Sequence, residues 1–150
     1  PDVFASDKSK GTHVLALNST AAKDIYAEAT IVPFATLIDK WPRVGFRITN
    51  SSGAVVDYYM GFDNKGTANF IEISSTGNSN YSVSAYKDLA ATGLKLAVRK
   101  QGDQFYFYVN SVQWGTAKTY DGFGADDAVT ISLYSKNTES IFYNYFSISY

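Results

Sequence analysis

VGFRITNSSGAVVDYYMGFDNKGTANFIEIS, residues 44–74, is the stretch that decides the fold. Apolar and polar residues alternate along it, and two clusters of turn residues, Ser51-Ser52-Gly53 and Asp63-Asn64-Lys65-Gly66, interrupt the alternation. A period of two residues indicates a half-buried strand, and short loops that contain glycine join antiparallel strands. The stretch therefore predicts three consecutive antiparallel strands.

The turn chemistry also predicts which residues of these strands face each other. A three-residue loop with Gly53 in the left-handed conformation selects one register, because a slip by one residue would mix apolar and polar side chains on each face. That register pairs the apolar residues Ile48 with Val56, Phe46 with Tyr58 and Val44 with Met60. The second turn is expected to bring Tyr58 opposite Ile71 and Val56 opposite Ile73.

The reverse face of the same strands carries the side chains that could do chemistry. Arg47 is expected opposite Asp57, with Glu72 beside Asp57 on the third strand, and Tyr59 is expected opposite Gly45. Carboxylates on adjacent strands would lie about 5 Å apart at Cβ, which suits a retaining glycosidase. The charged row could equally hydrogen-bond sugar hydroxyls, or form an exposed ion-pair ladder contributing well under about 1 kcal/mol. A ring over a glycine suits stacking on a sugar, and it also fits shielding of the glycine.

The rest of the chain reads as further short strands. Leu94–Asn110 predicts a hairpin that turns at Gln101-Gly102, with Val98 opposite Phe105. The last strand is expected to place Phe142, Phe146 and Ile148 on one face, with Tyr143 and Tyr145 on the other. About ten to twelve strands at a spacing of roughly 8 to 12 residues, without a convincing helix, predict one all-β antiparallel sandwich over residues 1–150.

Four further aromatic residues are candidates for ligand contact. Tyr106 and Tyr108 are two residues apart on one strand face, where they could form a stacking strip for a linear glycan, or lie under a loop or on an outer sheet. Trp41 lies in a predicted loop, where binding residues concentrate. Trp114 fits either a loop position or a core position, so Trp41 is the preferred candidate.

Composition excludes several classes of function. The chain has 150 residues, 45% hydrophobic and 18% charged, with a net charge of −1 and no basic run, which argues against nucleic acid as a partner. No segment approaches the roughly 18 apolar residues of a membrane span, so membrane insertion is not expected. The absence of cysteine removes disulfides, thiol catalysis and thiolate metal sites. Without cysteine and rich in tyrosine, the chain is expected to be a secreted or cell-surface bacterial module, covalently linked to neighbouring domains of a larger protein.

No cofactor is expected, although a structural calcium ion is possible. Asp63-Asn64, Asp121 and Asp126-Asp127 offer the oxygen ligands that calcium accepts. None of them has the regular spacing of a calcium-binding loop, so turn chemistry is the simpler interpretation.

Three segments together resemble the concanavalin A-like lectin and laminin-G-like jelly rolls. They are KLAVRKQGDQFYFYVNSVQWG (95–115), ISLYSKNTESIFYNYFSIS (131–149) and WPRVGFRITN (41–50) followed by YYMGFD (58–63). Asn110 matches the Asn-Gly that ends the family's hairpin strand, while Ser111 replaces the glycine. The resemblance implies a two-sheet antiparallel jelly-roll sandwich, most like a bacterial carbohydrate-binding module.

The resemblance also bears on catalysis. Hydrolases of this group are similar in a Glu-x-Asp-x-x-Glu motif, which this chain lacks, and the lyases use an Arg/Gln/His/Tyr set, whereas the only histidine here is His13. Non-catalytic binding of a polysaccharide or oligosaccharide is therefore the prediction. Its ligand residues are Arg47, Asp57 and Glu72 for hydrogen bonds, Tyr59 and Trp41 for stacking, and Tyr106 and Tyr108 in second rank. A protein-binding adhesin or spacer module and a small glycoside hydrolase are the alternatives.

Overall fold

A computed structural model describes residues 3–5, 12–36, 42–62, 69–75, 81–86 and 93–150. All regular structure in these ranges is β-strand. The strands are β1 (Val3–Ala5), β2 (Thr12–Ala16), β3 (Ile25–Thr36), β4 (Arg43–Asn50), β5 (Val55–Phe62), β6 (Asn69–Ser75), β7 (Tyr81–Tyr86), β8 (Leu94–Gln101), β9 (Gln104–Val109), β10 (Val112–Gln113), β11 (Val129–Lys136) and β12 (Thr138–Ser149). Within the described ranges, no helix has the length and apolar character needed to cross a membrane.

The strands form two six-stranded antiparallel sheets. Sheet A has the order β1-β12-β3-β8-β9-β10, and sheet B has the order β2-β11-β4-β5-β6-β7. The strands β4 to β7 and β8 to β10 form meanders, whereas β11 and β12 return from the end of the chain to pair beside strands near its beginning. The predicted two-sheet jelly-roll sandwich is confirmed.

The core lies between the two sheets and follows the alternation of the sequence. Its fully buried members include Ile25, Ala27, Ala29, Ile31, Leu96, Val98 and Phe105 from sheet A and Val44, Phe46, Ile48, Val56, Met60, Ile71, Ile131 and Leu133 from sheet B. Tyr58 joins the two sheets: its ring lies 4.7 Å from that of Phe107, and its hydroxyl donates a 2.7 Å hydrogen bond to the Tyr108 carbonyl. Trp114 stacks on Tyr58 and packs against the core.

The predicted pairing of β4 with β5 is confirmed. Phe46 faces Tyr58, Arg47 faces Asp57 and Gly45 faces Tyr59. The Ser51-Ser52-Gly53 loop closes with a hydrogen bond from Gly53 N to Asn50 O, and Gly53 has a φ of 86°. The left-handed glycine at the end of this three-residue loop selects the observed register.

The predicted pairing of β5 with β6 is wrong by two residues. Tyr58 faces Ile73, not Ile71, and Glu72 faces Tyr59, not Asp57. A shift of two residues keeps every side chain on its predicted face, so the apolar pattern does not distinguish the two registers.

The hairpin of β8 and β9 differs from its prediction in the same way. Val98 faces Phe107, and the turn is Gly102-Asp103 with Gly102 at a φ of 60°. Two-residue hairpin loops require a positive φ at their first central residue. The glycine was recognised as the turn residue, but its position within the turn was not.

The last strand contains a bulge that reverses its faces. Asn144, at a φ of 51°, lies within a register shift between Tyr143 and Phe146. An extra residue in one strand moves all later side chains to the opposite face. Phe142 is buried in the core, but Phe146 and Ile148 are exposed, contrary to the prediction that all three share one face.

Candidate functional site

The side of sheet B that points away from the core brings four predicted site residues together. This outer face of sheet B carries Arg43, Gly45 and Arg47 on β4, Asp57, Tyr59 and Gly61 on β5, Phe70 and Glu72 on β6, and Tyr134 and Lys136 on β11. Arg47, Asp57, Tyr59 and Glu72 are the residues that the sequence had placed there, and all four lie on the predicted face.

Arg47 and Asp57 form a two-pronged ion pair. Arg47 Nε lies 2.9 Å from Asp57 Oδ1, and Arg47 Nη2 lies 3.1 Å from Asp57 Oδ2. The Arg47 side chain is 32% exposed and that of Asp57 is 10% exposed. The hydrogen bonds to Asp57 raise the pKa of Arg47, against the opposing effect of burial. Both charges are thus fixed in place at the surface.

Two cation–π contacts flank Gly45. Tyr59 on β5 and Tyr134 on β11 are the cross-strand neighbours of Gly45. The guanidinium of Arg43 lies 4.6 Å from the Tyr59 ring centre, and that of Arg47 lies 4.4 Å from the Tyr134 ring centre. Since Gly45 has no side chain, the arginines two residues before and after it can fold over the neighbouring rings. We call these four side chains the arginine–tyrosine cluster.

Tyr59 supports this cluster and does not present a free ring. It is only 1% exposed, Arg43 covers one side of its ring, and its hydroxyl donates a hydrogen bond to Glu72 Oε1. Burial, then the hydrogen bond to Glu72, raises the pKa of Tyr59 above its ordinary value. A sugar therefore cannot stack on Tyr59 in this structure, contrary to the role that the sequence predicted.

The two carboxylates are not direct cross-strand neighbours. Asp57 faces Ser74 and Glu72 faces Tyr59, so Asp57 and Glu72 are diagonal neighbours, about 7–8 Å apart at Cα. Each carboxylate is also engaged, Asp57 by Arg47 and Glu72 by Tyr59. The pairing on which the glycoside hydrolase alternative was built is therefore absent.

Tyr106 and Tyr108 lie on the other side of the sandwich, on the outer face of sheet A. The Tyr108 ring meets Tyr26 edge to face at 6.1 Å, and Tyr26 lies 6.2 Å from Phe146. Tyr150 lies under the Arg99 guanidinium at 4.5 Å. Both tyrosines are half-buried, and Tyr108 belongs to an aromatic surface that is separate from the arginine–tyrosine cluster. Phe146 could not be assigned to this surface from the sequence, because the alternation of residues does not reveal the bulge at Asn144.

The acidic turn after β10 is held by its own hydrogen bonds. Asp127 Oδ2 accepts hydrogen bonds from Gly124 N at 2.8 Å and Asn50 Nδ2 at 3.1 Å, and these bonds help to lower the pKa of Asp127. The buried Lys100 donates to the carbonyl oxygens of Gly102 and Asp127. No group of three or more histidine, aspartate or glutamate side chains converges in the described ranges. Trp41 and Asp63-Asn64 lie outside those ranges, and structural calcium stays a prediction.

No protein-family model and no curated protein sequence matches this chain. Solved structures do match it. A tetrameric galectin from the ball sponge Cinachyrella sp. has a TM-score of 0.66 at 12% identity, over 90% of this chain and 99% of the galectin. The carbohydrate-binding module CBM66 from Bacillus subtilis has a TM-score of 0.55 at 14% identity, over 93% of this chain and 83% of the module.

An enzyme shares the architecture as well. The Crh5 transglycosylase has a TM-score of 0.68 at 11% identity, over 97% of this chain and 70% of the enzyme. At sequence identities this low, a structural match indicates a shared fold and does not indicate a shared activity. The chain has the concanavalin A-like sandwich fold, which lectins, carbohydrate-binding modules and carbohydrate-active enzymes share.

Proposed function

We propose that this domain binds carbohydrate without catalysing a reaction, and that the outer face of sheet B holds the ligand. The observation that carries the proposal is the fixed Arg47–Asp57 pair. A sugar hydroxyl both donates and accepts hydrogen bonds, so it is best bound by a donor and an acceptor held side by side. Arg47 uses two of its five N–H groups on Asp57, and the guanidinium has further N–H groups.

The rigidity of the face favours binding. Arg47 is held by both Asp57 and the Tyr134 ring, so that little side-chain freedom would be lost when a ligand arrives. Glu72, oriented by the Tyr59 hydroxyl, adds a second acceptor on the same face. In this proposal Tyr59 positions Glu72, and Trp41 keeps its predicted stacking role.

The fold supports the same function. A carbohydrate-binding module is among the solved structures that share this sandwich. The cysteine-free, tyrosine-rich composition is in line with a secreted or cell-surface module linked to other domains, which is part of the proposal.

Affinity electrophoresis against a panel of soluble plant, algal and microbial polysaccharides tests the proposal. The wild-type domain would run beside Arg47→Met, which keeps the aliphatic stem, and beside Tyr106→Ala on the outer face of sheet A. Thermal unfolding of each variant would establish that it is folded. Retardation that is lost in Arg47→Met and kept in Tyr106→Ala is the expected result. Loss only in Tyr106→Ala would move the site to sheet A, and reducing ends released from a bound polysaccharide would contradict the non-catalytic assignment.

Protein binding is the second candidate, and one observation favours it. Phe146, Ile148 and Tyr150 are exposed at 40%, 47% and 68% on the last strand and its end. Exposed apolar side chains close together often mark interaction surfaces. If no polysaccharide retards the domain, carbohydrate binding is refuted and this surface becomes the leading site.

A further inference from the structure

The outer face of sheet B carries an excess of positive charge at one end. Arg43 on β4 lies directly opposite Lys136 on β11. Arg47 is paired with Asp57, and the Glu72 carboxylate, which keeps its charge when it accepts the Tyr59 hydroxyl, lies on β6, two strands from Arg43. Among the ion pairs formed by the described part of the chain, none involves Arg43 or Lys136. The chain as a whole has a net charge of −1, so this positive end is a local feature.

Arg43 is held in place by stacking, and its buried Nε is out of reach of a ligand. Its guanidinium lies over the Tyr59 ring, and its Nε is buried without a hydrogen-bond partner among the residues that the structure describes. An arginine stacked on an aromatic ring keeps its charge and a fixed plane. Such a group is matched to a planar anion, above all a carboxylate, which can accept two parallel hydrogen bonds.

An aromatic ring lies beside the two cations. Gly61 faces Arg43 on the other side of β4, and the Phe70 ring lies against Gly61, where a Cβ atom would approach Phe70 Cε2 to 2.5 Å. Phe70 is half-buried. Neighbouring strands are about 4.8 Å apart, so a sugar ring resting on Phe70 would extend a substituent to Arg43.

We propose that Arg43 and Lys136 bind the carboxylate of an acidic sugar, and that the ligand of this face is a polysaccharide containing uronic acid. The inference rests on the proposed carbohydrate-binding function and adds the class of sugar. Arg43 recognises the carboxylate by its planar donors, Lys136 contributes a second charge, and Phe70 supports the sugar ring. A neutral glycan would supply no counter-charge to either cation.

The test compares polysaccharides that differ only in charge. Isothermal titration calorimetry would measure binding of the domain to polygalacturonate, alginate and hyaluronan, each beside its fully methyl-esterified form. The acidic form of at least one is expected to bind about tenfold or more tightly than its ester, with an affinity that falls as salt is raised from about 0.05 to 0.5 M.

Variants test whether Arg43 and Lys136 supply the positive charge that binds the carboxylate. Lys136→Gln and Arg43→Gln are each expected to weaken binding of the acidic form about tenfold or more and to weaken binding of the ester much less. Lys23→Gln removes an exposed lysine outside the strands and is the matched control. Lys136 is half-exposed near the end of β11, so its substitution tests the inference even if Arg43→Gln folds poorly.

The failures of the two proposals are distinguishable. Equal binding of acid and ester, binding of neutral polysaccharides only, or an equal loss in Lys23→Gln would overturn the acidic-sugar inference and leave carbohydrate binding in place. No binding to any polysaccharide, acidic or neutral, would overturn the proposed function itself.

Discussion

Removing Arg47 from the Arg47–Asp57 pair should destabilise the domain more than removing Asp57. Two unit charges about 4 Å apart attract by about 4 kcal/mol at an effective dielectric constant of about 20. Because the Arg47 side chain is 32% exposed, solvent screening reduces this attraction, and we expect a coupling energy of about 1–2 kcal/mol. That range lies between an exposed pair and a fully buried one.

The asymmetry follows from which charge is left alone. Arg47→Met leaves Asp57, whose side chain is only 10% exposed, without its ion-pair partner, and it also removes the cation–π contact with Tyr134. We therefore expect the free energy of unfolding to fall by about 3 kcal/mol. Asp57→Ala leaves an arginine that can turn to water, at a cost of about 1.5 kcal/mol. The double variant should lose about 3 kcal/mol, because the pair can be lost only once.

Urea unfolding followed by circular dichroism measures the four free energies of the cycle. Arg99 and Asp24 supply a matched pair on sheet A, with longer contacts of 3.3 Å and side chains 28% and 25% exposed. Their coupling should stay below about 1 kcal/mol. The reasoning is refuted if Asp57→Ala costs more than Arg47→Met, or if the two pairs couple equally.

Two further predictions concern stability. Gly45→Ala should cost about 3 kcal/mol or more, because its Cβ would lie 2.1 Å from the Tyr58 carbonyl oxygen and 2.6 Å from Tyr59 Cα, both backbone atoms of the paired strand. Gly61→Ala meets only the Phe70 ring, which can rotate, and should cost about 1 kcal/mol; equal shifts of the two urea midpoints would contradict this. Burial, as the largest cause, raises the pKa of Tyr59 and Tyr134 above 10.0, so the stability that they contribute is complete below pH 10 and is lost as the pH rises further. Between about pH 9 and 12, the unfolding free energy of Tyr59→Phe should fall with pH less steeply than that of the wild type, the two slopes differing by up to about 1.4 kcal/mol per pH unit. Equal slopes would refute the raised pKa of Tyr59.

The sequence was sufficient for the local part of the candidate site. Alternation assigned Arg47, Asp57, Tyr59 and Glu72 to one face, and the short loop at Gly53 fixed Arg47 opposite Asp57. Both inferences rest on interactions within about ten residues, where side-chain period and turn geometry act directly on the chain.

In two other hairpins the turn residues did not decide the register. Between β5 and β6, and between β8 and β9, a shift of two residues keeps every side chain on its face, and in both hairpins the tertiary structure chose the shifted register. One consequence is that Glu72 meets Tyr59 and not Asp57. The bulge at Asn144 had a similar effect in β12, where one extra residue turned Phe146 outward.

By itself, the sequence determined the all-β class, the core face of the central strands and the pairing of β4 with β5, because each depends on neighbouring residues alone. Only the tertiary structure decided what covers Tyr59 and what lies beside Gly45. Tyr134 lies beside Gly45 because β11 pairs with β4, although the two residues are almost ninety positions apart in the sequence. Such a contact leaves no periodic signal in either strand, since each pattern records which side of a sheet is buried and not which distant strand lies next to it.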